Sequence, residues 1–148
     1  MRIILIISLA TIGLFNTGKS LAGEDAQKLG VCLTNSMNGK ERKNLAKWIY
    51  IGMSAHSVIK PYSNVTTSDT ENSNKYVGEL ITRLITKDCP TQARLAFKEG
   101  GGEAFKYAFG IVGKVAMQEL MADSSVSQAL GGFEKYLKQD QFDQVFKE

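Results

Sequence analysis

The reactive and ligand-forming side chains of this 148-residue chain are few. There is one histidine, His56, one tryptophan, Trp48, two cysteines, Cys32 and Cys89, and a group of cations at Lys40, Arg42, Lys43 and Lys47. A general base or a metal ligand is the chemistry open to His56, but no second histidine is present to share a metal. Haem ligated by His56 with Met37, Met53, Met117 or Met121 is arithmetically open. Covalent c-type haem, thioredoxin-like exchange and a standard structural zinc are excluded, because no CxxC, CxxCH or Cys/His zinc spacing occurs. No cofactor and no metal are expected. The nucleophile pattern GxSxG and the zinc-hydrolase pattern HExxH are also missing.

A small envelope hydrolase would need two carboxylates held across a substrate groove. Glu41, Glu79, Glu99, Glu103 and Glu119 fall on predicted helices, but their spacing singles out no pair. Gly100-Gly101-Gly102 precedes a helix without the GK[ST] ending of a phosphate loop, so it reads as a helix break.

The basic group is the local anomaly. Lys40, Arg42 and Lys43 fall in the first turns of a predicted helix, where the macrodipole disfavours each exposed cation by about 0.3–1 kcal/mol. Such a violation is a place to suspect an anionic partner, which would gain from the cations and from unpaired N–H groups together. Trp48, Gly52 and His56 stand four residues apart and share one line along the same helix. His56 is expected to pack on the apolar stripe and help satisfy the last carbonyls. Gly52 leaves a notch, expected to seat a crossing helix, and Gly110 and Gly113 invite the same explanation.

The elements that position these residues read as helices almost throughout. The first is predicted over 24–36, with Ala26, Leu29, Cys32 and Leu33 on one face. The second runs from the Asn38 cap, with Glu41 as the other half of a capping box, to about Ile59 before Pro61. A third opens on the box pattern of Ser68 and Glu71 and runs to Lys87, a fourth covers 91–99, and a fifth spans 103–121. A sixth is expected over 125–138, followed by a terminal turn at Phe142, Val145 and Phe146. The fold class is a compact all-α, single-domain bundle of five to seven helices.

The chain opens with Arg2, an apolar run from Ile3 to Phe15, and the small-residue site Ser20-Leu21-Ala22. This is a secretory signal peptide over 1–22, too short in its apolar part to span a membrane, with the cut expected after Ala22 and Gly23 as the next choice. Leu21-Ala22-Gly23 begins a lipoprotein box, but Glu24 stands where its cysteine belongs. Removing the leader takes away Arg2 and Lys19 and lowers the formal charge from +3 to +1 for the exported domain, 23–148. No bulk field then argues for nucleic acid. No later segment is a transmembrane anchor, and the location expected is periplasmic or secreted. An even cysteine count in an exported chain favours a Cys32–Cys89 disulfide from the first helix to the end of the third.

Cys32-Leu33, then Gly39-Lys40-Glu41-Arg42-Lys43, then Trp48-Ile49-Tyr50-Ile51-Gly52-Met53-Ser54-Ala55-His56 resembles a group of small exported proteobacterial helical proteins. Their signature is "CL…GKDRK…WIF.AM.AHP" near the mature N-terminus. The likeness extends more loosely to the Cys89 region and the fifth helix. Ser57 stands where that group has proline. The resemblance implies export and compactness, lends weight to residues 39–56 as a site, and carries no activity.

The function expected from these residues is non-catalytic binding by an exported inhibitor, immunity-type or adaptor protein. Its surface would be Lys40, Arg42, Lys43 and Lys47, supported by Trp48 and His56. Its partner would be another envelope or extracellular protein, or an anionic envelope component. A carrier of lipid or haem, using the Trp48–Gly52–His56 notch or a gap under the fifth helix, is the alternative. A small cell-envelope hydrolase is the third.

Overall fold

The computed structural model describes residues 23–147 and is all-α among them. The expected signal peptide, 1–22, lies outside the described residues. In chain order the helices are α1 (Glu24–Asn35), α2 (Gly39–Ser54), α3 (Thr67–Arg83), α4 (Pro90–Met121), α5 (Ser124–Gly131) and α6 (Gln139–Phe146).

Helix α4 is the spine, and α1 lies along it. Ala104, Ala108, Val112 and Ala116 are buried at four-residue spacing, which makes a ridge of small side chains that lets another helix approach closely. Ala26, Leu29, Gly30 and Leu33 of α1 are buried against that side of the fold. The tightest approach is at Gly30, where a Cβ would sit 2.5 Å from Ile111 Cδ1 and 3.2 Å from the Ala108 carbonyl oxygen. Close helix packing was expected at Gly52, Gly110 and Gly113; a Cβ at any of those three would meet nothing within 4 Å. The glycine that seats a helix is Gly30.

The expected disulfide is present. Cys32 and Cys89 are bridged, with their Cα atoms 6.0 Å apart, and join α1 to the junction of α3 and α4. That junction is a widened helical turn over Leu84–Asp88, in which the Cys89 N–H reaches back five residues to the Leu84 carbonyl at 2.8 Å. Closing a loop of 57 residues stabilises by roughly 4 kcal/mol in the chain-entropy model.

Several boundaries differ from the sequence reading. Helix α2 ends at Ser54, five residues before the expected Ile59. Helix α3 is capped by Thr66 with Asp69, two residues before the expected Ser68–Glu71 box, because both patterns overlap in one polar segment and the earlier one closes. The expected fourth and fifth helices are two parts of α4, meeting at Gly101 with φ +54° and ψ −130°. Only glycine adopts that conformation without strain, so the triple glycine does break the helix, at a single residue.

The core cluster lies entirely between Ala26 and Ala116. From Ala122 to Lys147 every residue except Val126 and Gly131 is exposed. The expected sixth helix stops at Gly131, and α6 presents Phe142, Val145 and Phe146 to solvent, 42%, 75% and 74% exposed.

Candidate functional site

The start of α2 is built by a closed capping box. The Asn38 Oδ1 accepts the Glu41 N–H at 3.0 Å, and Glu41 Oε2 accepts the Asn38 N–H at 2.9 Å. The other oxygen, Glu41 Oε1, accepts Arg83 Nη2 of α3 at 2.9 Å. The one acid in the first turn of α2 is thus fully engaged.

Arg42 serves the chain that enters α2. Its Nη1 donates to the Met37 carbonyl at 2.6 Å, and the side chain is half-buried. Lys40, Lys43 and Lys47 are exposed and follow one face of the helix. Among the described residues none of the three forms an ion pair. This face runs into a depression of about 620 Å³ between α2 and α3, whose walls include Asn44, Lys47, Tyr50, Asn64, Asn72 and Tyr76. Asp69 lies on its rim. The Thr66 hydroxyl, then the Thr66 backbone N–H, and in smaller part the Lys47 charge hold its carboxyl below the usual carboxylate value.

Trp48 and Gly52 project away from the lysine face. Trp48 is half-buried, and its indole Nε1 donates to Asn74 Oδ1 of α3 at 2.8 Å. His56 does not pack on the apolar stripe as expected. It is exposed, because α2 stops at Ser54 and the helical projection of residue 56 no longer applies. Its Nδ1 accepts the Val58 N–H at 3.3 Å within the turn that leaves α2. Trp48, Gly52 and His56 do line one open cleft of about 870 Å³, together with Met53, Ile59 and Asn74. Trp48 and Ile49 also border a second depression of about 430 Å³ walled by Leu45, Ile81, Phe109, Val112 and Gly113. The wall carries no polar side-chain atom except the indole nitrogen, which Asn74 already holds.

Two carboxylates considered as catalytic have structural work. Glu41 is the cap and ion-pair residue above, and Glu99 caps α1 by accepting the N–H groups of Asp25 and Ala26 at 3.3 and 3.0 Å. Glu103 lies 3.7 Å from Lys106. Among the described residues no group of three His, Cys, Asp or Glu side chains is placed to hold a metal ion, and no helix is long and apolar enough to cross a membrane. The sequence reading missed Asn44, Asn64 and Asn72. Asn44 and Asn72 carry no motif, and Asn64 carries only the formal glycosylation triplet Asn64-Val65-Thr66. Asn44 stands three residues from Lys47 on α2, while the fold brings Asn64 and Asn72 to them. No protein-family model, no curated protein and no solved structure matches this chain.

Proposed function

We propose that this chain is a non-catalytic binding protein that engages an anionic partner surface through the Lys40–Lys43–Lys47 face of α2. The observation that carries the reading is that three exposed ammonium groups, without ion-pair partners among the described residues, follow one face of α2 from its positive end to its middle, where Lys47 borders a depression lined in part by Asn44, Asn64 and Asn72. Each such cation is worth about 1 kcal/mol near an anionic membrane surface. Loss of all three is therefore worth roughly 3 kcal/mol, or about a hundred-fold in affinity. In the exported setting expected from the leader, acidic envelope polymers and anionic headgroups offer this chemistry. Arg42 is left out of this proposed face, since its Nη1 donates to the Met37 carbonyl.

The test is co-sedimentation with phosphatidylglycerol vesicles, and retention on an acidic polysaccharide, across a salt series. Binding by the unaltered chain should weaken steeply with salt and disappear in K40E/K43E/K47E. Equal binding by both chains would refute the proposal.

A second reading has its own observation. The cleft along Trp48 and Gly52 is open, where close packing would have filled it, and its Trp48 and Ile49 also border an apolar depression at Phe109 and Gly113. This favours an acyl-chain carrier, which predicts that protein recovered from its host holds bound lipid.

A further inference from the structure

Gly23 lies against the carboxylate of Glu99. A Cβ built on Gly23 would fall 1.9 Å from Glu99 Cδ and 2.1 Å from each of its oxygens. The same two oxygens accept two N–H groups in the first turn of α1, from Asp25 and Ala26. A carboxylate 73 residues away therefore caps α1, and Gly23 itself offers no side chain for the purpose. Any other residue at position 23 would have to push Glu99 off the helix. A backbone nitrogen lies about 2.5 Å from the Cβ position of its own residue, so the Gly23 nitrogen is within about 4.6 Å of both Glu99 oxygens.

We propose that the bond before Gly23 is the maturation cut, and that the α-ammonium it releases docks on Glu99. The proposal rests on the signal-peptide reading and not on the binding function. Hydrolysis of the Ala22–Gly23 amide by an export peptidase consumes one water. It leaves a carboxylate on Ala22 and a primary amine on Gly23, which takes up a proton at neutral pH.

A cation at a helix N-terminus is disfavoured by the macrodipole, so a free amine there needs a carboxylate. Glu24 and Asp25 are the local candidates, but both face Lys28, at 2.7 and 3.7 Å. Glu99 is the acid in place. A cut one residue later would remove the glycine that lets Glu99 approach and would put the amine on Glu24.

The experiment compares the chain beginning at Gly23 with a free amine and the same chain Nα-acetylated, each with and without E99Q, by thermal melting at neutral pH and low salt. Acetylation should lower Tm by about 3 °C in the unaltered chain and should not lower it in E99Q. An equal fall in both, or no fall in the unaltered chain, overturns the docking. Should E99Q fail to fold, a chain that retains Ala22 replaces it, since one residue moves the amine by about 3.8 Å. That chain must melt as low as the acetylated one; melting as high as the Gly23 chain overturns the docking. The intact mass of protein from its host judges the cut separately. A start at Gly23 supports it, and any other start overturns it, whatever the melting curves give.

Discussion

Glu41 and Arg83, 42 residues apart, are joined by an ion pair at 2.9 Å that ties the start of α2 to the end of α3. The second Arg83 nitrogen, Nη1, donates to Asp88 beside the bridged Cys89, so the pair braces the disulfide junction. Glu41→Gln keeps a reciprocal cap on Asn38 but loses the charge. With the Arg83 and Glu41 side chains 36% and 18% exposed, the expected cost is about 1 kcal/mol, read from the urea midpoint. Glu41→Ala removes cap and pair together and should cost about twice that.

Gly30→Ala should be the most destabilising glycine substitution on α1 and α2. Ile111 can rotate away from a new methyl at 2.5 Å, but the Ala108 carbonyl at 3.2 Å is backbone and cannot. Separating α1 from α4 should cost about 1–3 kcal/mol. Gly52→Ala, with nothing within 4 Å, should instead stabilise by up to about 1 kcal/mol through helix propensity. Urea unfolding of the two variants checks the contrast, and equal effects would contradict it.

The Thr66–Asp69 box makes a prediction in pH. Asp69 has a lowered folded pKa, chiefly through the Thr66 hydroxyl. Its contribution is therefore complete above the unfolded carboxylate range and is lost as pH falls through the lowered folded value. Thr66→Ala should raise the Asp69 pKa in an NMR titration. It should also lower stability, by more at neutral pH than once Asp69 is protonated, because the Thr66 hydroxyl accepts the Asp69 N–H at any pH and the charge-dependent part alone is lost in acid. A difference that does not shrink in acid would count against the Asp69 half of this box.

A chain ending at Asp123 should melt within about 2 °C of the full chain. The core cluster ends at Ala116, and nearly everything after Ala122 is exposed. Loss of cooperative melting would show that α5 and α6 support the core.

What was legible in the sequence was local. The Asn38–Glu41 box, the helical period of α1 and α3, and the break within Gly100–Gly102 each follow from neighbours a few residues apart, and the structure has them. The disulfide followed from the count of two. What was hidden depends on distant partners. Gly30 is a contact residue only because α4 presents a ridge of small side chains, and Glu99 is a cap only because α1 starts beside it. The end of α2 was misplaced because Pro61 forbids helix just before it without saying how much earlier the chain turns. The lysine face was readable from spacing. The inward turn of Arg42 was not, since the Met37 carbonyl it braces belongs to the connection between helices.

The central proposal is that an anionic surface is engaged by the lysine face of α2 and not by the Trp48–Gly52 face. The most direct measurement is co-sedimentation with phosphatidylglycerol vesicles of the unaltered chain, K40E/K43E/K47E and G52L, each first shown to melt normally. Neither variant should unfold: glutamate in place of Lys40 suits the start of α2, Lys43 and Lys47 are exposed, and a leucine at Gly52 enters open space. The account predicts a loss of about a hundred-fold for K40E/K43E/K47E and unchanged binding for G52L. Undiminished binding by the lysine variant, or loss in G52L alone, would contradict it and turn attention to the apolar cleft.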